Sequence, residues 1–205
     1  MQNGRLSKVQ KNLKTPLLIE NPVDLFYLTG IKVSKGRLLI SKKEAILFLD
    51  GRYLEQGRKE STIHVEKWDD FPKINTKEIL LDSAFTSCQE YNNLKMKFPG
   101  VSWAQKPGLL NEIRAAKEPE EIEKLKKAAQ LTLRGIEHIS NQLKEGVKEE
   151  ELAMQFELFV RTSGATKLSF EPVIAFGENS AYPHHRAGST PLKKNQIVLI
   201  DAGVI

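Results

Sequence analysis

Up to residue 108 the apolar residues of this chain come in short runs, and from about residue 119 they fall at three- and four-residue steps. The change of texture points to two units. Leu17-Leu18-Ile19, Gly36-Arg37-Leu38-Leu39-Ile40, Ala45-Ile46-Leu47-Phe48-Leu49, Ile63 to Val65 and Ile79 to Leu81 read as strands. Helical patterns lie between them, which is the sequence form of a mixed α/β sheet with crossover helices. Asn21-Pro22-Val23-Asp24 predicts a helix start, with proline where its missing N–H costs nothing, and Gly30 predicts the end of that short helix. Ser41-Lys42-Lys43-Glu44 joins two of the runs as a hairpin. Ser87 to Phe98 predicts a helix closed by Pro99-Gly100, and Val101-Ser102-Trp103 a last short strand.

The texture changes between Leu109 and Glu123, and the expected division is an N-terminal domain over 1–108 and a second domain over 109–205. A length of 205 residues supports two such units at roughly 150 residues per domain. From Pro119, Ile122, Leu125, Ala129, Ile136, Ile139 and Leu143 define one long amphipathic helix, with acids in its first turn and Gly146 just past its end. Glu149-Glu150-Glu151 opens another helix with a core face of Leu152, Phe156 and Phe159, stopped at Ser163-Gly164. Strands follow at Val173-Ile174-Ala175-Phe176 and Gln196-Ile197-Val198-Leu199-Ile200, with a turn at Gly177-Glu178-Asn179-Ser180. Two helices followed by strands predict an α+β domain, incomplete in this chain. An apolar strand followed by Asp201-Ala202-Gly203-Val204-Ile205 with no polar tail leaves an open edge, so the chain reads as part of a longer protein.

Composition narrows the function classes. With 40% hydrophobic and 28% charged residues, and no apolar run near the ~20 residues needed to span a bilayer, membrane function is disfavoured. No signal-type stretch follows Met1, so a cytoplasmic location is expected. The single cysteine, Cys88, permits no internal disulfide and reads as a half-buried helix residue, which leaves any metal to oxygen and imidazole ligands. A net charge of +5 raises nucleic acid as a partner. However, Lys124, Lys126 and Lys127 lie among Glu118, Glu120, Glu121 and Glu123, a mixed-sign pattern of a solvated helix face, and nucleic-acid binding is not expected.

Two residues stand out for chemistry. His184 follows Pro183 in the turn-rich segment Asn179 to Arg186, a setting that favours a working imidazole over a packed one. Asp201, seventeen residues later, follows four apolar strand residues, where burial of an acid is costly unless a cation or donors satisfy it. A strand-end turn with Gly203 is the alternative account of that aspartate. His64 and His138 read as ordinary face residues and His185 as a neighbour that orients the loop. The chain lacks a His-Glu-x-x-His, a Gly-x-Ser-x-Gly, a phosphate loop and a dinucleotide fingerprint.

Several segments, in order, resemble the first part of an Xaa-Pro aminopeptidase or prolidase of the pita-bread metallopeptidase family. They are Asn21 to Gly30, Leu49-Asp50-Gly51-Arg52-Tyr53, Ile113 to Ile122, Phe170 to His185 and Ile200-Asp201-Ala202-Gly203. The resemblance implies a creatinase-like, ribonuclease-H-like N-terminal domain with a mixed sheet, followed by the first part of an α+β pita-bread catalytic domain. It makes Asp201 the first metal ligand, His184 the active-site and substrate-binding histidine, and Phe176 a residue lining the substrate cleft. The family's further ligands, an aspartate, a histidine and glutamates, are not among these residues. Metal is therefore not expected to bind tightly to this chain, and catalysis is not expected from it alone.

The implied cofactor is a pair of divalent ions, manganese foremost, with cobalt or zinc as alternatives, and the implied partners are proline-containing peptides and a second copy of the chain. Two metals with a bridging water generate a nucleophile near neutral pH. Prolyl bonds lack the N–H by which many peptidases grip a strand-like substrate, which calls for a dedicated pocket. A metal-free peptide- or protein-binding module of the same shape is one alternative, and creatinase-like hydrolysis of a small amidino compound is another.

Overall fold

The computed structural model describes residues 2–70 and 76–205. The chain forms two compact units, Met1–Ala116 and Lys117–Ile205. The division falls after the expected position at residue 108 because Leu109, Leu110 and Ile113 pack on the core of the first unit.

The first unit is built on a six-stranded sheet in the order β4-β3-β2-β1-β5-β6. Strand β1 is Leu17–Ile19, β2 Arg37–Ile40, β3 Ala45–Leu49, β4 His64–Lys67, β5 Glu78–Asp82 and β6 Ser102–Lys106. β1, β2 and β3 pair antiparallel, whereas β3–β4, β1–β5 and β5–β6 are parallel. Parallel neighbours need a crossover. Helix α3 (Leu54–Glu60) supplies it between β3 and β4, and α4 (Cys88–Lys97) between β5 and β6.

Strand pleating sorts this core into two faces. Leu17 and Ile19 join Leu38, Ile40, Leu47 and Leu49 on one face, under Leu25 and Leu28 of α2 (Pro22–Thr29). Leu18 joins Phe48, Ile79, Leu81 and Trp103 on the other, under Leu94 of α4. A sheet covered on both faces explains runs of apolar residues without polar alternation.

The expected caps are in place. Asn21 accepts the Val23 N–H at 3.0 Å, and Gly30, at φ 77°, donates its N–H to Phe26 O at 2.8 Å. In the β2–β3 hairpin the Ser41 N–H donates to Glu44 O at 2.7 Å while Ser41 Oγ accepts the Glu44 N–H at 3.0 Å. Helix α1 (Gln2–Lys11) lies outside the expected elements, because its polar sequence shows no apolar period. It is held by tertiary contacts: Val9 is buried, and Arg5 lies 4.3 Å from the Tyr27 ring centroid while donating to Tyr27 O. Cys88 is exposed as the first residue of α4, not half-buried.

Short helix α5 (Asn111–Ala115) closes the first unit, and Arg114 donates to buried Asp24 at 2.9 Å. The second unit begins with α6 (Pro119–Ser140), where the Glu118 N–H donates to the Glu121 carboxylate at 2.9 Å in a capping box. Helix α6 ends before Leu143 and Gly146, earlier than its apolar period implies. Asn141 to Leu143 continue as turns, and Ser140 Oγ donates back to Ile136 O at 2.7 Å, competing with the helix ladder. Helix α7 (Glu149–Thr162) packs on α6 at Gly135, where a Cβ would stand 2.6 Å from the Phe156 ring and 2.8 Å from Val160. Strands β7 (Val173–Phe176) and β8 (Val198–Asp201) pair antiparallel, with Val173 opposite Asp201 and Phe176 opposite Val198. Among the described residues no helix is long and apolar enough to cross a membrane.

Candidate active-site loop and strand end

The register of β7 and β8 decides which side chains share a face. Residues directly opposite in an antiparallel pair point the same way, and neighbours along a strand point opposite ways. Ile174, Phe176, Val198 and Ile200 therefore form the inner face and pack against Leu152, Phe156 and Val160 of α7. Asp201 and Leu199 lie on the outer face, and both are exposed. Four successive apolar residues, Ile197 to Ile200, imply burial on both sides; among the described residues Val198 and Ile200 pack into the core, while Leu199 and Asp201 are exposed. The same parity places Phe176 on the inner face. Its ring is 1% exposed, sits in the core and points away from the face that carries Asp201.

His184 is exposed in the turn after a 3-10 segment, Gly177–Ala181, that continues directly from β7. Asp201 is paired with Val173 at the start of β7, and the segment that leads to His184 leaves from the end of that strand. No hydrogen bond joins His184 and Asp201 among the described residues. The alternation in the loop is informative: His184 and Arg186 are exposed, while the intervening His185 turns inward.

His185 turns inward to meet Glu149, the first residue of α7 and a fully buried carboxylate. Glu149 Oε1 accepts the Phe176 N–H at 2.8 Å and the Asn179 side-chain amide at 2.8 Å. Its Oε2 is 2.8 Å from His185 Nε2 and accepts the Gly188 N–H at 3.2 Å. Four donors match the four lone-pair sites of a carboxylate. Burial pushes this carboxyl up, but the hydrogen bonds from Asn179, His185, Phe176 and Gly188 outweigh it and hold Glu149 below the usual range. The Glu150 N–H adds a bond to Gly188 O at 3.0 Å, and Asn179 reaches Thr190 Oγ1 at 3.2 Å.

Sequence reasoning did not find Glu149, because a helix-opening acid is already explained by the helix dipole, as are Glu150 and Glu151 beside it. The available signal was a pair of potential donors, Asn179 and His185, in one turn-rich segment.

As a metal site the described residues do not suffice. Among them, no three His, Cys, Asp or Glu side chains come together in a way that could hold an ion. Asp201 offers one exposed carboxylate, and a metal centre there needs ligands these residues do not provide.

Comparison with known proteins assigns both units. Residues 5–116 match the Creatinase/Prolidase N-terminal domain, and residues 123–205 match metallopeptidase family M24. An Xaa-Pro dipeptidase of Pyrococcus furiosus is 27% identical over 98% of this chain and 60% of its own length. An uncharacterised peptidase of Staphylococcus saprophyticus is 30% identical over 98% of this chain and 62% of its own. The solved Xaa-Pro dipeptidase of Bacillus anthracis superposes over all of this chain and 61% of that one, with a TM-score of 0.88 at 24% identity, which establishes the fold. The chain thus spans about 60% of the length of these relatives. The first match extends over more than half of the chain, and the second follows it in order. The protein belongs to the creatinase/prolidase family, with a metallopeptidase M24 segment after its N-terminal domain.

Proposed function

We propose that the full-length protein is a metal-dependent exopeptidase that removes the N-terminal residue from Xaa-Pro peptides, as an aminopeptidase or a dipeptidase. The observation that carries this reading is the similarity to the Pyrococcus furiosus Xaa-Pro dipeptidase, which runs through both units over 98% of the chain. Asp201, exposed at a strand end, is the proposed metal-ligating carboxylate. An oxygen ligand of this kind suits hard divalent ions such as Mn²⁺.

His184 is the proposed catalytic histidine. It stands on a loop whose neighbours are tied down while its own ring is exposed, so it can donate to a peptide carbonyl or to the oxyanion that develops from it. The proline ring removes the amide hydrogen that extended-strand recognition uses, so selectivity for Xaa-Pro calls for a dedicated pocket.

The test is release of the first residue from Xaa-Pro and Xaa-Ala peptides by the full-length protein, with and without Mn²⁺. Metal-dependent release restricted to the prolyl peptides is expected. Metal-independent hydrolysis, or none with peptide binding retained, refutes the assignment in favour of a different hydrolase or a binding module.

A further inference from the structure

We propose that Glu149 and His185 form a positioning pair that fixes the loop carrying His184, with His185 acting through Glu149 and not on the substrate. This rests on the reading of His184 as the catalytic histidine. The division of labour within the carboxylate carries it. Oε1 holds the end of β7 and the 3-10 segment through Phe176 and Asn179, and Oε2 holds the far side of the loop through His185 and Gly188. A single buried group thereby clamps both flanks of the segment in which His184 sits.

The inward turn of His185 also determines the outward turn of its neighbours. With the ring of His185 only 16% exposed and aimed at Glu149, His184 and Arg186 are left facing solvent. Release of His185 from the carboxylate loosens this choice, since what then holds the backbone nearby, among the described residues, is the 3.2 Å bond from the His185 N–H to Tyr182 O and the Gly188 bonds three residues on. His185 Nε2 must carry a proton to donate to Glu149. A glutamine at 185 can place an amide donor near the same point, and a leucine cannot.

Two variants of this 205-residue chain test the pair, His185→Leu and His185→Gln. The first readout is amide exchange across residues 182–188, and the second is the imidazole nuclear magnetic resonance of His184. Loss of a hydrogen bond to a charged acceptor opens the loop, so His185→Leu is expected to speed exchange there by about tenfold or more while α6 and the first unit stay unchanged. The His184 ring signals should move in the same variant, and His185→Gln should restore both. Unchanged exchange and an unmoved His184 signal in His185→Leu overturn the proposal. So does a His185→Gln variant that behaves like the leucine variant, because it assigns the effect to packing of the ring.

In the full-length protein His185→Leu should lower kcat at least tenfold with a smaller change in KM, as expected for a misplaced group acting in the transition state. Failure of the native protein to hydrolyse Xaa-Pro peptides refutes the function assigned to His184 and leaves the exchange result to judge the pair separately.

Discussion

Replacement of Glu149 by glutamine preserves the shape of the side chain and removes its charge. The amide oxygen can satisfy two of the four donors, and its NH₂ must then face the other two. In one orientation it opposes the Phe176 N–H and the Asn179 amide, and in the other it opposes the Gly188 N–H and forces His185 into the opposite tautomer. The second orientation is the less costly: the Gly188 N–H loses its acceptor while the amide NH₂ donates to His185 Nε2, a loss of about 1.5–3 kcal/mol before compensation, against ~3–6 kcal/mol for the two bonds lost in the first. Relief of the cost of burying a carboxylate returns part of this, so a net loss of about 1–2 kcal/mol for the second unit is expected.

The pH dependence supplies an independent check. The folded carboxyl lies below its ordinary value, so its contribution is fully present above the unfolded value, near 4.3, and is lost as the pH falls through the folded value. Urea unfolding of the second unit, followed by amide exchange in α7 at pH 7 and at successively lower pH, should show native stability falling in acid more steeply than that of Glu149→Gln. A glutamine variant as stable as the native chain at pH 7, with the same acid slope, would refute the view that the four donors sustain an ionised Glu149.

Further predictions concern packing and pairing. Gly135→Ala gains about 1 kcal/mol of helix propensity but drives a methyl into the buried Phe156 and Val160, a cost of ~1–3 kcal/mol. A net fall in thermal stability is therefore expected by calorimetry, whereas Gly51→Ala, with open space around it, should be near neutral. Arg114→Met leaves Asp24 buried without its cation. Allowing for the partial exposure of Arg114, the loss should be about 2–3 kcal/mol, read by urea unfolding with the fluorescence of Trp68 and Trp103, both in the first unit. Burial already pushes the Asp24 carboxyl up against the opposing pull of Arg114, so the Arg114→Met variant should regain stability as the pH is lowered, when Asp24 takes up a proton.

The parts of this fold that were readable from sequence are those with local causes. Asn21, Pro22 and Gly30 bound α2 by capping chemistry alone, and the β2–β3 hairpin follows from two apolar runs around Ser41 to Glu44. Helix α1 escaped because its stability comes from Arg5, Val9 and Gln10 meeting residues far along the chain, including a bond from Gln10 to Ser41 O. In the candidate site, His184 and Asp201 were visible as residue types in a turn and at a strand end. The exposure of His184 follows from its turn-rich segment, whereas that of Asp201 does not follow from its neighbours, because an apolar run looks the same whether one face or both are covered. Phe176 shows the same limit: residue type marks it as apolar, and only the register with Val198 says which way it points. The Glu149 cluster joins positions 149, 176, 179, 185 and 188, a set that exists only once α7 and β7 have packed.

The most direct test of the metallopeptidase assignment is the Mn²⁺-dependent release of the first residue from an Xaa-Pro dipeptide, compared between the full-length native protein and its Asp201→Asn variant. The account predicts turnover that requires the metal and falls by at least about a hundredfold on loss of the Asp201 carboxylate. Equal rates in the two proteins, or release that ignores the metal, would contradict it.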